Sequence, residues 1–269
     1  MMPPSRHGAP VRQHPIVQNS QMRLWSARLV SSAFAVMVVA GLCPTAYAQD
    51  ETSAAVALVE ARRYQEAIPL LTRLVEEATA AGRDADAAVA LTHLASALYR
   101  SDDLTGARVR ALEGLALAER LQDQERLGRL RLLLSILDDL AGEAVSARAW
   151  ALKADEAYRA GGHTAGSIEA RLQVTRMSSM GIDEARGVLE EAATDARALG
   201  DTVLEGRVLH MLGDELFSAG QLDLAYDALM RALPLLEADD HPSTSARCTT
   251  AWAGCTARTA GWMRRSRCR

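Results

Sequence analysis

Small and apolar residues recur along the chain with a period of about 40 residues, a spacing that marks a repeat architecture. Alanines that follow a turn-like pair and an apolar residue come at nearly even intervals. Positions three before, four after, seven after and twelve before each alanine are also small or apolar in most copies. Spacings of three, four and seven keep residues on one face of a helix. The aligned alanines are Ala67, Ala107, Ala147, Ala185 and Ala225.

Short polar and glycine-containing segments divide the copies into helix pairs. They read SDD at 101–103, AGE at 141–143, SMG at 179–181 and SAG at 218–220, and Ser, Asp and Gly favour caps and turns. Small side chains let paired helices approach closely. One pair cannot bury its apolar faces alone, so stacked copies share a continuous core. The pattern predicts an all-α fold, an α-solenoid of about five helix-turn-helix repeats over residues 49–240.

The clearest copy, LGDELFSAGQLDLAYDALMRAL at 212–233, resembles the tetratricopeptide repeat (TPR). The third copy is looser, with Ser135 and Asp138 where a small and a large apolar residue are expected, and Gln173 is too large for its row in the fourth. The period exceeds the usual 34 residues of this repeat, which predicts helices longer by about a turn and a half. The resemblance implies a protein- or peptide-binding module.

The same copy contains GDELF, which is similar to the GGDEF signature of enzymes that make cyclic dinucleotides. Leu212 replaces the first glycine of that signature, and the segment lies inside a predicted helix, so Gly213 and Leu216 are interpreted as packing residues. The sequence shows no Ser-His-Asp constellation, nucleophile elbow or phosphate loop. We therefore predict no enzymatic activity and no cofactor.

Metal binding is not indicated either. His210 and Asp214 are four residues apart on one helix face, a geometry that can hold a metal, but two ligands do not make a site and a solvated contact is favoured. The three cysteines near the C-terminus follow no paired CxxC spacing, so a zinc site is not expected.

Charge is distributed unevenly along the chain. All 34 acidic residues lie between Asp50 and Asp240, where they outnumber 20 basic residues and give a net charge of −14. A body this acidic repels phosphate backbones, so nucleic-acid binding is not expected.

Residues 22–48 have the three parts of a secretory signal peptide. Arg23 and Arg28 supply the positive start, a largely apolar run spans 29–42, and Ala46-Tyr47-Ala48 is an A-x-A cleavage pattern. The run is shorter than the ~20 residues of a membrane-spanning helix, so contact with the membrane is expected only during export. We predict cleavage after Ala48. Lys153 is the only lysine against 29 arginines, which is typical of a GC-rich bacterial genome and makes the expected compartment a periplasm.

The two ends of the chain do not share the repeat pattern. Residues 1–21 are rich in Pro, His and Gln, and we hypothesise that translation starts at Met22. Residues 241–269 form an irregular tail with no acidic residue and six arginines. A frameshifted or truncated reading of a longer gene is favoured over an evolved basic tail. Either way the last repeat lacks a polar capping helix, and we predict that the isolated chain self-associates or is poorly soluble.

The first helix of each pair is expected to line the concave face that binds a partner in such arrays. The mixture of polar residues and large anchors suits an extended peptide or a partner helix. The Lys, Asn and Arg set that clamps C-terminal carboxylates in some TPR proteins is absent. Val174 is a further candidate from the fourth copy. The predicted contact residues are Tyr99, Arg100, Arg129, Asp139, Met177, Arg207, His210, Asp214 and Phe217.

A second function remains open at the level of sequence. Exported arrays with this longer period resemble the sensor regions of bacterial membrane signalling proteins, including diguanylate cyclases and histidine kinases. The chain would then be the sensor half of an enzyme whose catalytic half is lost. Translating the DNA downstream of Asp240 in the other two frames distinguishes this hypothesis from a separate interaction module.

Overall fold

The computed structural model describes residues 51–177 and 180–237, and from Thr52 onward these residues belong to one compact unit. They form helices joined by short turns, with no strand among them, so the all-α prediction is confirmed. The predicted leader (1–21), the predicted signal peptide (22–48) and the predicted irregular tail (241–269) lie outside the described residues. The helices are α1 (residues 51–60), α2 (Tyr64–Ala80), α3 (Asp84–Arg100), α4 (Leu104–Leu121), α5 (Gln124–Leu140), α6 (Ala144–Ala160), α7 (Thr164–Met177), α8 (Ile182–Leu199), α9 (Thr202–Ser218) and α10 (Leu222–Glu237).

The described helices form five consecutive pairs, and each pair packs against the next. From α2 onward every helix contacts its neighbours in the chain, and Ala55 of α1 shares a core cluster with Ala67 and Leu71 of α2. Contacts between helices two places apart join α3 to α5, α5 to α7 and α7 to α9, whereas no two even-numbered helices of this part are in contact. The odd-numbered helices therefore form the more closely spaced of two layers, called the odd layer below.

The aligned alanines occupy one structural position. Each is the fourth residue of an even-numbered helix and is 0–2 % exposed. The residue four positions later is also buried in every copy, and so is the residue twelve positions earlier on the odd-numbered helix. The row three positions before the alanine differs, because it begins the even-numbered helix and none of its members is buried. Its residues begin the even-numbered helices, and Tyr64 and Ile182 pack against the core while remaining partly exposed.

Gly213 shows how closely the two helices of a pair approach. A Cβ added to this residue in α9 would lie 2.6 Å from Leu229 Cγ and 3.5 Å from the carbonyl oxygen of Ala225, both in α10. Interiors are packed at crystal-like density, so no side chain fits there without moving a neighbour. The GDELF segment is therefore part of a helix-packing contact. Leu216 is 2 % exposed, and Phe217 packs against the same core cluster.

Every turn between described helices, apart from the partly described one at 178–181, has the same closing geometry. One residue of each turn has a positive φ, and the next residue donates its backbone N–H to the carbonyl oxygen five residues earlier, as in Asp103 to Leu98 and Gln221 to Leu216. This is the Schellman motif, which satisfies the last carbonyl groups of a helix. Glycine supplies the positive φ in five turns. Arg62, Asp102 and Gln122 supply it in the other three.

The loose third repeat buries two polar side chains within an otherwise apolar core. Ser135 is fully buried, as its small-residue row requires. Asp138, where a large apolar residue was expected, is 3 % exposed. Its Oδ1 lies 2.5 Å from Arg108 Nη2, and the hydroxyl of Ser146 donates a hydrogen bond to Oδ2. The departure from the repeat pattern is therefore a buried carboxylate whose ion pair with the partly exposed Arg108 joins α4 to α5.

Candidate binding site on the odd layer

A depression of about 260 Å³ opens on the odd layer between α7 and α9. We call it the α7–α9 pocket. Two arginines, two carboxylates, one histidine and one amide give it a polar wall, and three aliphatic or thioether side chains complete the lining. The residues are Glu169, Leu172, Gln173 and Arg176 of α7, Arg207, His210, Met211 and Asp214 of α9, and Leu236 of α10.

Helical spacing brings the polar residues of the pocket together. Glu169, Gln173 and Arg176 are spaced by four and three residues, so they share one face of α7. On α9 the polar residues at 207, 210 and 214 are spaced by three and four, which places them on one face as well. Because α7 and α9 contact each other directly, the two faces form opposite walls of the pocket.

Arg207 and Glu169 form a paired contact across the pocket. Arg207 Nη2 donates to Glu169 Oε2 at 2.8 Å, and Nη1 donates to Oε1. Burial lowers the pKa of Arg207, but the hydrogen bond and the charge of Glu169 outweigh it and raise the pKa overall. The arginine therefore stays charged and links two consecutive repeats through two parallel hydrogen bonds.

A second link runs along the same layer. Arg176 Nη2 donates to Gln173 Oε1 at 2.5 Å and to Asp139 Oδ2 of α5 at 3.4 Å. Gln173 also directs its Nε2 at the sulfur of Met177, 3.5 Å away. The amide of Gln173 thus holds the arginine over the pocket, and Asp139 extends the polar surface to the preceding repeat.

His210 and Asp214 form a longer and weaker contact in the wall of the pocket. His210 Nδ1 lies 3.5 Å from Asp214 Oδ2, and the other ring nitrogen, Nε2, is buried without a hydrogen-bond partner among the described residues. Burial raises the pKa of Asp214, and the electrostatic effect of the neighbouring His210 opposes that rise. Asp214 is half exposed, so its carboxylate is accessible to a bound molecule.

The structure brings three of the predicted contact residues, Arg207, His210 and Asp214, into one pocket. Asp139 and Met177 lie at its edge, through their contacts with Arg176 and Gln173. These five residues form a continuous surface across three repeats.

The remaining predicted contact residues do not line the pocket. The Arg100 guanidinium lies 5.6 Å from the ring centre of Tyr99 near the end of α3, and Arg129 pairs with Glu125 at 3.1 Å on α5. Phe217 packs against the core of the last two repeats. All of them are on the odd layer, but they face other parts of it.

Sequence reasoning missed half of the polar wall. Glu169, Gln173 and Arg176 were not predicted as contact residues, whereas Val174 was, and Val174 is only 5 % exposed. The sequence did carry one signal, because Gln173 is too large for its small-residue row. A polar residue that breaks a packing row needs polar partners, and here it has Arg176 and Met177.

A second depression of about 280 Å³ lies beside the turn between α6 and α7. Its central residue, Arg171, has its guanidinium 2.5 Å from Asp195. His163 stands edge-on to the ring of Tyr158, with ring centres 6.4 Å apart. Within the lining, Arg171 also lies 3.8 Å from Glu191, while its Nε and Nη1 atoms are buried without a hydrogen-bond partner among the described residues.

The α7–α9 pocket offers charged and hydrogen-bonding groups beside apolar side chains. No group of three metal-ligating side chains occurs in residues 51–177 and 180–237. Among the helices of that part, none has the length and apolar character needed to cross a membrane.

Comparison with solved structures places the fold. A thermophilic TPR protein of Thermus thermophilus superposes with a TM-score of 0.53 at 20 % identity, over 77 % of this chain and 99 % of its own. The chain has the tetratricopeptide-repeat fold. BtubC (BKLC) from P. vanneervenii gives a TM-score of 0.63 at 18 % identity, over 76 % of this TPR chain and 87 % of its own.

A third similar structure belongs to a larger protein. It is a signal-transduction ATPase (STAND) protein with a TPR sensor from Pyrococcus horikoshii, with a TM-score of 0.62 at 18 % identity. The match covers 75 % of this chain and 31 % of that one. No protein-family model matches the sequence, and no curated protein matches it.

Proposed function

We propose that this TPR protein is a non-catalytic periplasmic scaffold that binds an extended peptide or a partner helix along the odd layer. A stack of helix pairs bends toward the layer whose helices are closer together, so the odd layer is the expected concave side. The observation that carries the proposal is the α7–α9 pocket, where polar groups from consecutive repeats surround an apolar floor.

The pocket suits one anchoring side chain of a longer ligand. Its volume of about 260 Å³ lies below the 300–1,000 Å³ typical of sites that enclose a drug-sized molecule. A peptide would place an apolar side chain against Leu172 and Met211 and direct backbone or polar groups at Asp214, Arg176 and His210. Clusters of this kind, with a desolvated anchor and a polar rim, supply most of the free energy of peptide binding.

A charge-reversal variant of the pocket tests the proposal. The mature chain, residues 49–269, is immobilised and exposed to periplasmic extract, together with Asp214→Lys and the matched control Glu190→Lys, which lies on an exposed even-helix position. We expect bound proteins to be retained by the wild type and the control and lost from Asp214→Lys. Equal retention by all three baits would remove the pocket from the proposal.

The periplasmic location rests on the signal-peptide pattern at 22–48. Export with cleavage after Ala48 gives a mature chain that begins at Gln49. Mass spectrometry of the protein purified from a periplasmic fraction tests this directly, and an intact 1–48 segment in the purified protein would contradict it. A peptide from residues 1–21 in the precursor would contradict a start at Met22.

A sensor role is the second candidate. One similar structure is described as a STAND protein with a TPR sensor, of which this chain spans about a third. In that role the odd layer would bind the signal and pass it to a following domain. The test is to translate the downstream DNA in the other frames. A sixth repeat, a hydrophobic span and a GGDEF or kinase motif there would support the sensor role. Immediate stop codons in every frame would support the scaffold role instead.

A further inference from the structure

Two even-numbered helices, α4 and α6, contact the following odd-numbered helix through corresponding repeat positions. One residue after the row alanine, Arg108 of α4 pairs with Asp138 of α5. Eight residues after it, Leu115 is 6 % exposed in a cluster with α5 residues. In the next repeat Asp155, at the same eighth position, accepts a hydrogen bond from Ser167 of α7. These positions form the surface on which the next repeat packs.

On α10 the same positions carry apolar side chains that no described helix covers. They are Tyr226 and Leu233, with Met230 between them at helical spacing, and we call these three residues the α10 face. Tyr226 and Met230 are each 41 % exposed, whereas Leu233 packs partly against its own core. Tyr226 and Leu233 lie at the repeat-packing positions, and Met230 extends them into an apolar stripe that can contact another helix. The counterparts of Met230 within the array, Leu112 and Leu152, are also exposed, so Met230 is an accessible apolar side chain and not part of the repeat-packing surface itself.

We propose that this surface binds the α10 face of a second copy of the chain, with the two helices antiparallel about a two-fold axis near residue 229. An isologous contact of this kind requires a surface that is complementary to itself. Antiparallel pairing places Tyr226 of one copy across from Leu233 of the other, with the two Met230 side chains between them.

The charges beside the α10 face fit the same arrangement. Asp227 and Arg231 are both exposed and lie on one flank of the stripe. A two-fold axis near residue 229 brings Asp227 of each copy opposite Arg231 of the other. The flank has no net charge, so two copies can approach there although the repeats as a whole are acidic. An acidic second copy would be repelled at most other surfaces.

The size of the surface predicts the strength of association. α10 has 16 residues, which gives a strip about 24 Å long at 1.5 Å per residue and about 10 Å wide. That is well below the ~800 Å² per partner of a standard stable interface. The dimer is therefore concentration-dependent, in equilibrium with the monomer.

Sedimentation equilibrium of the mature chain over a wide concentration range tests the proposal. We expect a monomer–dimer equilibrium that Met230→Glu weakens at least tenfold. Leu152→Glu is the matched control, because Leu152 occupies the same repeat position on α6 and is 49 % exposed. Circular dichroism establishes that both variants keep their helices. A wild type that stays monomeric, as it would if the tail covered this face, overturns the proposal.

A charge exchange separates a second copy from any other occupant. Asp227→Arg and Arg231→Asp each place like charges opposite each other across the two-fold axis and are expected to weaken the dimer severalfold. The double variant restores complementary pairs and should recover the wild-type association. A dimer that is unchanged by the single variants, or not recovered in the double variant, overturns the antiparallel arrangement. Neither result bears on binding at the odd layer.

Discussion

Arg108 of the second repeat reaches across to Asp138 of the third and places its Nη2 atom 2.5 Å from the Asp138 Oδ1 atom. The carboxylate side chain is 5 % exposed, whereas the arginine side chain is 40 % exposed. One partner is therefore buried and depends on the other. Such a pair stabilises little compared with an apolar contact, but breaking it from one side leaves a buried charge uncompensated.

Removing Arg108 should therefore destabilise the protein more than removing an exposed arginine. We expect Arg108→Ala to lower the free energy of unfolding by about 2 kcal/mol, less than for a fully buried pair because the arginine is partly solvated. Arg110→Ala, which breaks the exposed pair with Glu113, should cost less than about 0.5 kcal/mol. Urea denaturation measures both. Adding Asp138→Leu to Arg108→Ala should recover most of the loss, and no recovery would contradict the buried-charge explanation.

The close approach at Gly213 predicts opposite effects of alanine at two helical glycines. Gly213→Ala should lower the free energy of unfolding by about 1–3 kcal/mol, because its Cβ would overlap Leu229. Gly187→Ala, in α8 where nothing lies within 4 Å of the added atom, should raise it by about 0.5–1 kcal/mol through helix propensity. Thermal unfolding of the two variants gives the comparison, and a loss at both positions would contradict it.

The turn after α4 contains a residue, Gln122, whose replacement by glycine should stabilise the protein. Gln122 has a φ of 54°, a left-handed conformation that costs about 1–2 kcal/mol for a residue with a Cβ. We expect Gln122→Gly to raise the free energy of unfolding by about 0.5 kcal/mol after the added flexibility of the unfolded chain is counted. Gly142→Ala, at the equivalent position with a φ of 81°, should destabilise. A gain from alanine there would refute this account of the turns.

His93 should make stability depend on pH. Burial, and then the positive charges of Arg129 and Arg126 on α5, lower its pKa, while Glu60 of α1 and Glu125 of α5 oppose the shift. The unfolded histidine titrates near pH 6.5, so just below that pH the unfolded chain binds more protons than the folded one. The free energy of unfolding should therefore fall as the pH drops below about 6.5.

Denaturation of a His93→Gln variant across pH 5–8 tests this dependence. The variant should show a shallower loss of stability below pH 6.5 than the wild type. His163→Gln, at the turn before α7, leaves His93 in place and should retain the wild-type slope. Identical slopes in the wild type and His93→Gln would show that other groups cause the acid sensitivity.

The repeat architecture could be predicted from the sequence because residues that pack between helices recur at regular spacings along the chain. The fourth position of each even-numbered helix, as at Ala67 and Ala225, is occupied by alanine because the two helices of a pair approach closely there. The same requirement acts in every copy, so the recurrence of alanine can be detected in the sequence alone. The turns were also predictable, since Gly142 and Gly220 supply a backbone conformation that few other residues adopt.

The binding surface was harder to derive. Arg207 and His210 could be placed on the correct helix, but the width of the pocket depends on how far α7 and α9 lie apart, which no local pattern fixes. A long side chain such as that of Arg176 can reach several partners, and which of them it contacts depends on distances in the folded protein that the sequence does not give. Asp138 illustrates the same limit, since its partner Arg108 lies on the preceding helix and no spacing rule connects the two.

The identical closing geometry of the turns has a consequence for engineering. Gly82 and Gln122 both have positive φ, and Arg83 and Asp123 both close their turns with the same backbone hydrogen bond. An internal deletion of residues 83–122 would join Gly82 to Asp123, keep the cap that Asp123 gives to α5, and leave the later rows in phase with the first. The chain could in this way be shortened by one helix-pair repeat. Equivalent deletions between other turns would give a series of shorter repeat arrays derived from the same protein.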